Sequence, residues 1–263
     1  MSWDLFEKKE KPELPFEEVW LTPERIIQKT GLKVLVWGEP EVGKTHFALT
    51  FPEPIYVIDT EFGVAPLLAK EPFKSKEVYV YEAARLSEET AEIDPAASLD
   101  AVEKALTVLL RKQLTKGTVV IDSVTDIWQW HQAWLEQLSD VRRTQTGQIL
   151  RFEWGRANMR YRKLILRLMA RPVHVVLTAQ SQEVYDAQGH PTGVYRPRAQ
   201  RQTAHMVDIV LHLEKVYDPT SRAVKYYATL EKCRFQRGLN KRIESVTYDK
   251  LVATLREIGV EVV

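Results

Sequence analysis

Cysteine is nearly absent from this sequence. Cys233 is the single one among 263 residues, so no disulfide can form within the chain. This scarcity fits a reducing compartment, and we expect Cys233 to be a small strand residue. Long apolar runs are also missing, and none approaches the length of a membrane span. The charged first ten residues lack the apolar stretch of a signal peptide, so we expect a cytoplasmic protein without membrane contact.

An excess of charge of either sign is lacking as well. The chain contains 37 Lys and Arg residues and 36 Asp and Glu residues, which gives a formal net charge of +1. Overall charge therefore does not indicate a nucleic-acid-binding protein, and only local clusters of basic residues could do so. The hydrophobic fraction of 44% is sufficient for a sizeable folded core.

From about residue 31, short apolar stretches alternate with longer amphipathic ones. The short stretches predict buried strands, and the longer ones predict helices. The predicted strands are Lys33–Trp37, Ile55–Asp59, Glu77–Tyr81, Thr118–Asp122 and Val173–Ala179. The predicted helices are 43–50, 98–114, 124–138, 152–170 and 248–258, with Gly117 as the stop of the second.

The end of the chain has a different pattern. Residues 208–216 and 225–235 predict two paired strands on either side of a turn at Asp218-Pro219. Together these patterns predict an α/β fold: a mainly parallel sheet flanked by helices, with antiparallel strands added at the C-terminal end. We expect residues 1–30 to form an N-terminal arm and residues 31–263 to form the core.

A phosphate-binding loop follows the first predicted strand. Its pattern is G-x-x-x-x-G-K-[ST], and the residues are Gly38, Glu39, Pro40, Glu41, Val42, Gly43, Lys44 and Thr45. The glycines let backbone N–H groups approach phosphate oxygens, and the N-terminus of the next helix favours negative charge. Lys44 is expected to neutralise the β and γ phosphates of ATP, and Thr45 to bind Mg²⁺. We include the next residue, His46, in the predicted nucleotide site.

Acidic side chains stand at the ends of two other predicted strands. Asp122 is expected to reach Mg²⁺ through water, although an Asp or Ser there could also cap the following helix. Beyond the second strand, Glu61 is the better candidate for the base that deprotonates the attacking water, and Asp59 is the second candidate. Either residue could instead cap a helix. Gln180 follows the strand 173–179, where its amide could sense the γ-phosphate or simply end the strand.

These four elements, in this order, resemble the RecA/RadA recombinase core. The matching residues are Gly38–Thr45, Ile58–Glu61, Val120–Ser123 and Thr178–Gln180. The resemblance implies a RecA-like ATPase in which Glu61 is the catalytic base and Gln180 precedes a DNA-binding loop. It also implies that Lys232 and Arg234, two residues apart on a late strand, reach the γ-phosphate in a neighbouring subunit. The alternative for that pair is an ordinary solvated strand face.

More narrowly, the chain resembles compact RecA-core ATPases of phages that act in single-strand annealing recombination. The residues that carry this likeness are the short arm, Phe51–Pro54, the segment 120–125 before a Trp-rich helix, and Pro172–Gln180. It implies single-stranded DNA as a partner, self-association into a filament or ring, and possible contact with a single-strand DNA-binding protein. Phe6 or Phe16 of the arm could anchor the neighbouring subunit or pack locally. The expected location is the cytoplasm of a prokaryotic or phage-infected cell.

Two basic segments are candidates for DNA contact. The first lies between residues 141 and 172 and includes Arg142 and Arg143, with interleaved aromatic residues. The alternative there is a solvated helix face. The second follows Gln180 and contributes Arg196, Arg198 and Arg201, in the place of the DNA-binding loop that the resemblance implies. The alternative there is an ordinary hairpin.

We therefore predict a DNA-stimulated ATPase, with two alternatives. One is a ring-forming helicase-like or loader motor, and the other is a DNA-binding module that ATP controls with little turnover. A motor with a C-terminal helical lid is disfavoured because only about twenty residues follow Arg242.

Overall fold

A computed structural model gives the structure of residues 31–260. The predicted arm, with Phe6 and Phe16, lies outside these described residues. The strands are β1 (Lys33–Gly38), β2 (Ile55–Asp59), β3 (Val78–Glu82), β4 (Thr118–Asp122), β5 (His174–Tyr185), β6 (Pro191–Pro197), β7 (Ile209–Asp218), β8 (Ala223–Cys233) and β9 (Arg242–Glu244). The helices are α1 (Lys44–Ala48), α2 (Ala65–Leu68), α3 (Pro95–Arg111), α4 (Val124–Gln137), α5 (Trp154–Met169), α6 (Thr203–Met206) and α7 (Tyr248–Arg256).

The strands form one sheet in the order β3-β2-β4-β5-β1-β7-β8-β9, and β6 pairs with the end of β5. The first six strands of that order run parallel, whereas β8 and β9 are antiparallel to their neighbours. The predicted fold class is therefore confirmed, including the antiparallel C-terminal strands. The strand of the phosphate loop, β1, is separated from the strand of Asp122, β4, by β5 alone.

Helices cover both faces of the sheet, which explains why its central strands are apolar throughout. Because side chains alternate along a strand, Leu35, Ile121 and Leu177 face one way and pack with α3, α4 and α5. Val36 and Val120 face the other way and pack with α1 and α7. The functional loops are thus held at the edge of a sheet that is buried on both sides.

The helix predicted over residues 98–114 instead spans Pro95–Arg111. Asp94 determines the start, since its side chain accepts a hydrogen bond from the N–H of Ala97 at 3.0 Å and Pro95 occupies the first turn. Gly117 does not end the helix directly. It has φ +94, and a Cβ there would lie 2.4 Å from the carbonyl oxygen of Pro54, so glycine is required by a close chain contact.

The strand predicted to end at Ala179 continues to Tyr185 and turns back as β6. The turn is built around Asp186, whose carboxylate accepts hydrogen bonds from the N–H groups of Gln188 at 2.9 Å and His190 at 2.8 Å. A β-hairpin therefore stands where a long DNA-binding loop was expected, which was the alternative left open for this segment.

Candidate functional site

The phosphate loop, Gly38–Thr45, lies between the end of β1 and the start of α1. Lys44 turns back over the loop and donates hydrogen bonds from Nζ to the carbonyl oxygens of Gly38 at 3.0 Å and Glu39 at 2.8 Å. Burial lowers the pKa of Lys44, and the charges of Glu61, Asp122 and Glu39 act in the opposite direction. Lys44 and two of the predicted carboxylates therefore share one electrostatic environment.

Asp122 lies at the end of β4 and contacts the loop directly. Its Oδ2 accepts a hydrogen bond from Thr45 Oγ1 at 2.6 Å, and its Oδ1 accepts one from Thr178 Oγ1. Burial raises the pKa of Asp122, against the effect of these two hydrogen bonds. Both carboxylate oxygens of Asp122 thus contact hydroxyl groups at the phosphate edge. Ser123 is the N-cap residue of α4, but its side chain makes no capping hydrogen bond, so the capping alternative describes neither residue.

The two acids beyond β2 have different surroundings. Asp59 is 2% exposed, and its carboxylate accepts hydrogen bonds from the N–H groups of Glu61 at 3.0 Å and Val64 at 3.1 Å. Asp59 thus orders the turn that precedes α2. Glu61 is exposed, and its Oε1 accepts hydrogen bonds from Gln180 Nε2 at 2.8 Å and Ser123 Oγ at 3.0 Å. This geometry favours Glu61 over Asp59 as the base.

Gln180 lies at the strand position that is aligned with Gly38 of β1. The parallel pairing therefore brings the phosphate loop and Gln180 to the same edge of the sheet, where Glu61 also lies. Ser181 adds a further contact, since its hydroxyl donates a hydrogen bond to the Glu39 side chain. The residues predicted from four separate segments are assembled in one place.

Asp126, in the first turn of α4, belongs to the same network and was missed from the sequence. Its Oδ2 accepts a hydrogen bond from Thr60 Oγ1 at 2.6 Å and lies 3.1 Å from Ser123 Oγ, whose single proton is shared between Asp126 and Glu61. The pKa of Asp126 is raised by burial and, to a smaller extent, by the nearby charge of Glu61. The available signal was its position at the start of the helix that follows Asp122, because the first turn of α4 lies beside the end of β4.

A cavity of about 460 Å³ adjoins the phosphate loop beside Gly43 and His46. Its opposite wall includes Tyr226, Tyr227 and Thr247, which no sequence motif marked. The antiparallel pairing of β7 with β8 aligns Glu214 with Tyr227 and so brings these aromatic residues to the loop. Burial lowers the pKa of His46, whose ring lies 4.5 Å from that of Phe73. The cavity is of a size and composition that can hold a nucleoside.

A magnesium ion would be held by Thr45 and Asp122, together with phosphate oxygens of the nucleotide. The Thr45 hydroxyl would bind the ion directly and the Asp122 carboxylate through water, which fits Mg²⁺ because this ion keeps several waters and takes phosphate oxygens as ligands. Among residues 31–260 there is no group of three or more His, Cys, Asp or Glu side chains that could hold a metal ion by themselves. The donor set therefore suits a metal that arrives with a nucleotide.

Lys232 and Arg234 lie at the other end of the sheet. Lys232 is aligned with Val210 and Val210 with Leu35, so the pair is remote from its own phosphate loop. Lys232 Nζ donates hydrogen bonds to the carbonyl oxygens of Ala204 at 2.6 Å and Val207 at 2.7 Å. Arg234 forms an ion pair with Asp208 at 2.8 Å. These contacts give both residues a role at the end of α6, and their intersubunit role stays a prediction.

Part of the basic segment 141–172 is engaged in contacts within the chain. Arg160 forms ion pairs with Asp100 and Glu103, both at 3.0 Å, which fits the solvated-face alternative. The guanidinium of Arg142 lies 5.3 Å from the centre of the Phe152 ring. Arg143 donates hydrogen bonds to the backbone carbonyls of Gly147 at 3.2 Å and Glu136 at 2.5 Å. DNA contact by Arg142 and Arg143 stays a prediction.

Arg196, Arg198 and Arg201 surround a separate cleft of about 960 Å³ between the β5–β6 hairpin and helices α4 and α5. Arg198 is tied to the phosphate edge through its backbone, since its N–H donates a hydrogen bond to the carbonyl of Gln180 at 2.7 Å.

None of the helices in the described part of the chain is long and apolar enough to cross a membrane.

Comparisons with known proteins place the chain among nucleotide-binding domains. A family model described as "AAA domain" matches residues 30–237. Among solved structures, a KaiC-like protein from the hyperthermophilic archaeon Pyrococcus horikoshii is similar with 16% sequence identity and a TM-score of 0.42, covering 82% of this chain and 85% of that chain. No curated protein sequence matches.

Proposed function

Because the chain belongs to the AAA domain family, we propose that it hydrolyses ATP at the site formed by Gly38–Thr45, Glu61, Asp122 and Gln180. The observation that carries this proposal is the position of Glu61. Its carboxylate is held by Gln180 at 2.8 Å and by Ser123 at 3.0 Å, within the electrostatic range of Lys44. A fixed carboxylate at the mouth of a phosphate loop is the arrangement that a hydrolytic base requires.

In the reaction, Glu61 accepts a proton from water as the water oxygen bonds to the γ-phosphorus. The bond between that phosphorus and the bridging oxygen breaks, and ADP leaves with the electron pair. Lys44 neutralises charge on the phosphate oxygens, and the backbone N–H groups of the loop hold them in place. Magnesium, held by Thr45 and Asp122, would supply further neutralisation of the β and γ phosphates. The cavity beside His46, Tyr226 and Tyr227 would hold the adenosine.

Replacement of Glu61 by Gln tests the base directly. Glu61→Gln keeps the shape of the side chain and its contacts, so ATP binding should remain while turnover falls by about 10²- to 10⁴-fold. Lys44→Ala should abolish both binding and turnover. The matched control is Glu82→Gln, an identical change at an exposed residue that is aligned with Asp59 in the sheet. Equal turnover in the Lys44→Ala variant and the wild type would refute the site.

We further propose that this ATPase acts on single-stranded DNA in recombination or strand annealing, as the phage proteins it resembles do. Support comes from the path of β5, which leads from Gln180 into the hairpin that carries Arg196. Turnover would occur between subunits of a filament or ring, where Lys232 and Arg234 of one subunit reach the nucleotide of the next. The work would take place in the cytoplasm of a prokaryotic or phage-infected cell, with a single-strand DNA-binding protein as a further partner.

Single-stranded DNA should raise the rate of ATP hydrolysis, and the effect should weaken as salt increases. Turnover measured with and without DNA across a salt series checks this, and electron microscopy with ATP and DNA shows the assembly. A filament fits the recombination function, whereas a ring favours a helicase-like or loader motor. DNA binding with negligible turnover favours an ATP-controlled binding module. If DNA alters neither turnover nor assembly, the DNA function is wrong.

A further inference from the structure

The cleft between the β5–β6 hairpin and helices α4 and α5 is lined by side chains that have no role in the proposed ATPase reaction. Its volume of about 960 Å³ is twice that of the cavity beside the phosphate loop and lies within the range of small-molecule sites. Arginine, glutamine and tryptophan side chains line it, and no Asp or Glu is among the described residues that do so. The cleft is therefore suited to a ligand with negative charge and flat, polar edges.

Two tryptophans form part of its wall. Trp128 on α4 and Trp154 on α5 are both partly exposed. On each helix the residue four positions after the tryptophan also lines the cleft, because residues four apart lie on the same face of a helix. That residue is Gln132 for Trp128 and Asn158 for Trp154. Each helix thus presents an aromatic ring beside a carboxamide. Aromatic rings stack on the faces of bases, and carboxamides hydrogen-bond to their edges.

The amides differ in how far the protein already uses them. Asn158 donates a hydrogen bond to the carbonyl of Trp154 at 2.8 Å and accepts one from Gln200 at 3.0 Å. The side chains of Gln132 and Gln182 make no hydrogen bond within residues 31–260, although both line the cleft. They are the amides available to a ligand.

The arginines of the cleft also differ in whether a protein group already engages them. With the amide of Gln129 turned to present its oxygen, Arg198 donates hydrogen bonds to it from Nε and Nη2, each at 3.1 Å. This contact fixes the guanidinium of Arg198 at the wall. Arg196 and Arg201 form no ion pair within the described chain, so their charge is available to phosphate groups.

We propose that this cleft binds an unpaired base of a single-stranded nucleic acid. The base stacks against Trp154 and Trp128, Gln132 and Gln182 hydrogen-bond to its edge, and Arg196 and Arg201 contact the flanking phosphates. The inference rests on the proposed action on single-stranded DNA and goes further, because it makes binding depend on the bases as well as on the backbone.

The test compares two strands of equal length and charge, an oligodeoxythymidylate and an abasic strand, by fluorescence anisotropy with the full-length chain. The wild type should bind the thymidylate strand about 5- to 150-fold more tightly than the abasic strand, the range expected from loss of base stacking. Trp154→Ala should remove most of this difference. Because Trp154 also packs in the protein, a second variant is needed that preserves packing.

That variant is Gln132→Glu, which is isosteric and places a carboxylate in the cleft. It should weaken binding of the thymidylate strand at least as much as loss of the base does. The matched control is Gln137→Glu on the same helix, an exposed residue outside the cleft, which should bind as the wild type does. Equal binding of both strands, with equal affinities for the two Glu variants, would overturn the inference and leave the DNA function intact. Failure of the wild type to bind either strand would overturn both.

Discussion

At the scale of single residues, Ser123 has one proton and two acidic neighbours. Its hydroxyl lies 3.0 Å from the carboxylate of Glu61 and 3.1 Å from that of Asp126, and it can donate to only one of them at a time. Thr60 holds Asp126 on the other side at 2.6 Å. Asp126 therefore competes with Glu61 for the Ser123 proton, and the position of Glu61 depends on Asp126 although Asp126 does not touch the phosphate loop.

Replacement of Asp126 by Asn should lower kcat for ATP hydrolysis by about tenfold to a hundredfold, because a small displacement of a reacting group has an effect of that size. The KM for ATP should change little, since Asp126 does not line the nucleotide cavity. Steady-state kinetics at saturating magnesium measures both. Asp100→Asn, an exposed acid on α3 that pairs with Arg160, is the control. A rise in KM with unchanged kcat would contradict the positioning role.

At the scale of secondary-structure elements, Thr125 connects helix α4 to the hairpin. Its buried hydroxyl accepts a hydrogen bond from the N–H of Gln180 at 2.9 Å and donates one to the carbonyl of Arg198 at 2.8 Å. Gln180 in turn donates to Glu61. One hydroxyl thus joins the phosphate edge of the sheet to the strand that returns from the hairpin.

Thr125→Val should reduce the stimulation of ATP hydrolysis by single-stranded DNA more than it reduces the basal rate. Valine keeps the shape of the side chain but leaves the Gln180 N–H and the Arg198 carbonyl without their shared partner, at a cost of about 1–3 kcal/mol in stability. Thr125→Ser retains the hydroxyl and should keep most of the stimulation. Turnover with and without DNA, and urea unfolding, measure the two effects. Equal stimulation in the Val and Ser variants would show that this connection does not couple the sites.

The positions of the strand ends explain which elements could be predicted. Parallel strands with continuous apolar patterns bring their carboxyl ends to one edge, so Asp122 and Gln180 could be placed at the same edge from the sequence. A role for Gln180 at the γ-phosphate came from the resemblance, because its chemistry alone left a simple strand end equally open. The hairpin after Gln180 depends on local bonding to Asp186, and Tyr227 reaches the nucleotide cavity only through the register of β7 with β8. The sequence predicted that these two strands pair, but the exact register of a strand pair leaves no periodic trace in the sequence. The same holds for the ion pairs that engage Arg160 on α5.

At the scale of the whole molecule, two buried histidines link folding to pH. Burial lowers the pKa of both His131 and His174 to about 4, with Arg160 adding to the effect at His131 and Lys33 at His174. Both are neutral in the folded protein at neutral pH. His131 Nδ1 lies 2.7 Å from the carbonyl of Ile127, and His174 Nδ1 accepts a hydrogen bond from the N–H of Leu32 at 3.2 Å.

Stability should fall as the pH decreases from about 6.5 towards 4. In that window an unfolded histidine binds a proton that the folded protein excludes, so each of these residues contributes a slope of up to about 1.4 kcal/mol per pH unit to the free energy of unfolding. His131→Phe keeps a ring beside Tyr161 and removes one titrating group, so the slope should decrease by up to that amount. Tyr161→Phe disturbs the same packing without titrating in this range, and it should keep the wild-type slope. Urea unfolding at several pH values between 4 and 7 gives the slopes, and identical ones for His131→Phe and the wild type would show that protonation of His131 does not link folding to pH.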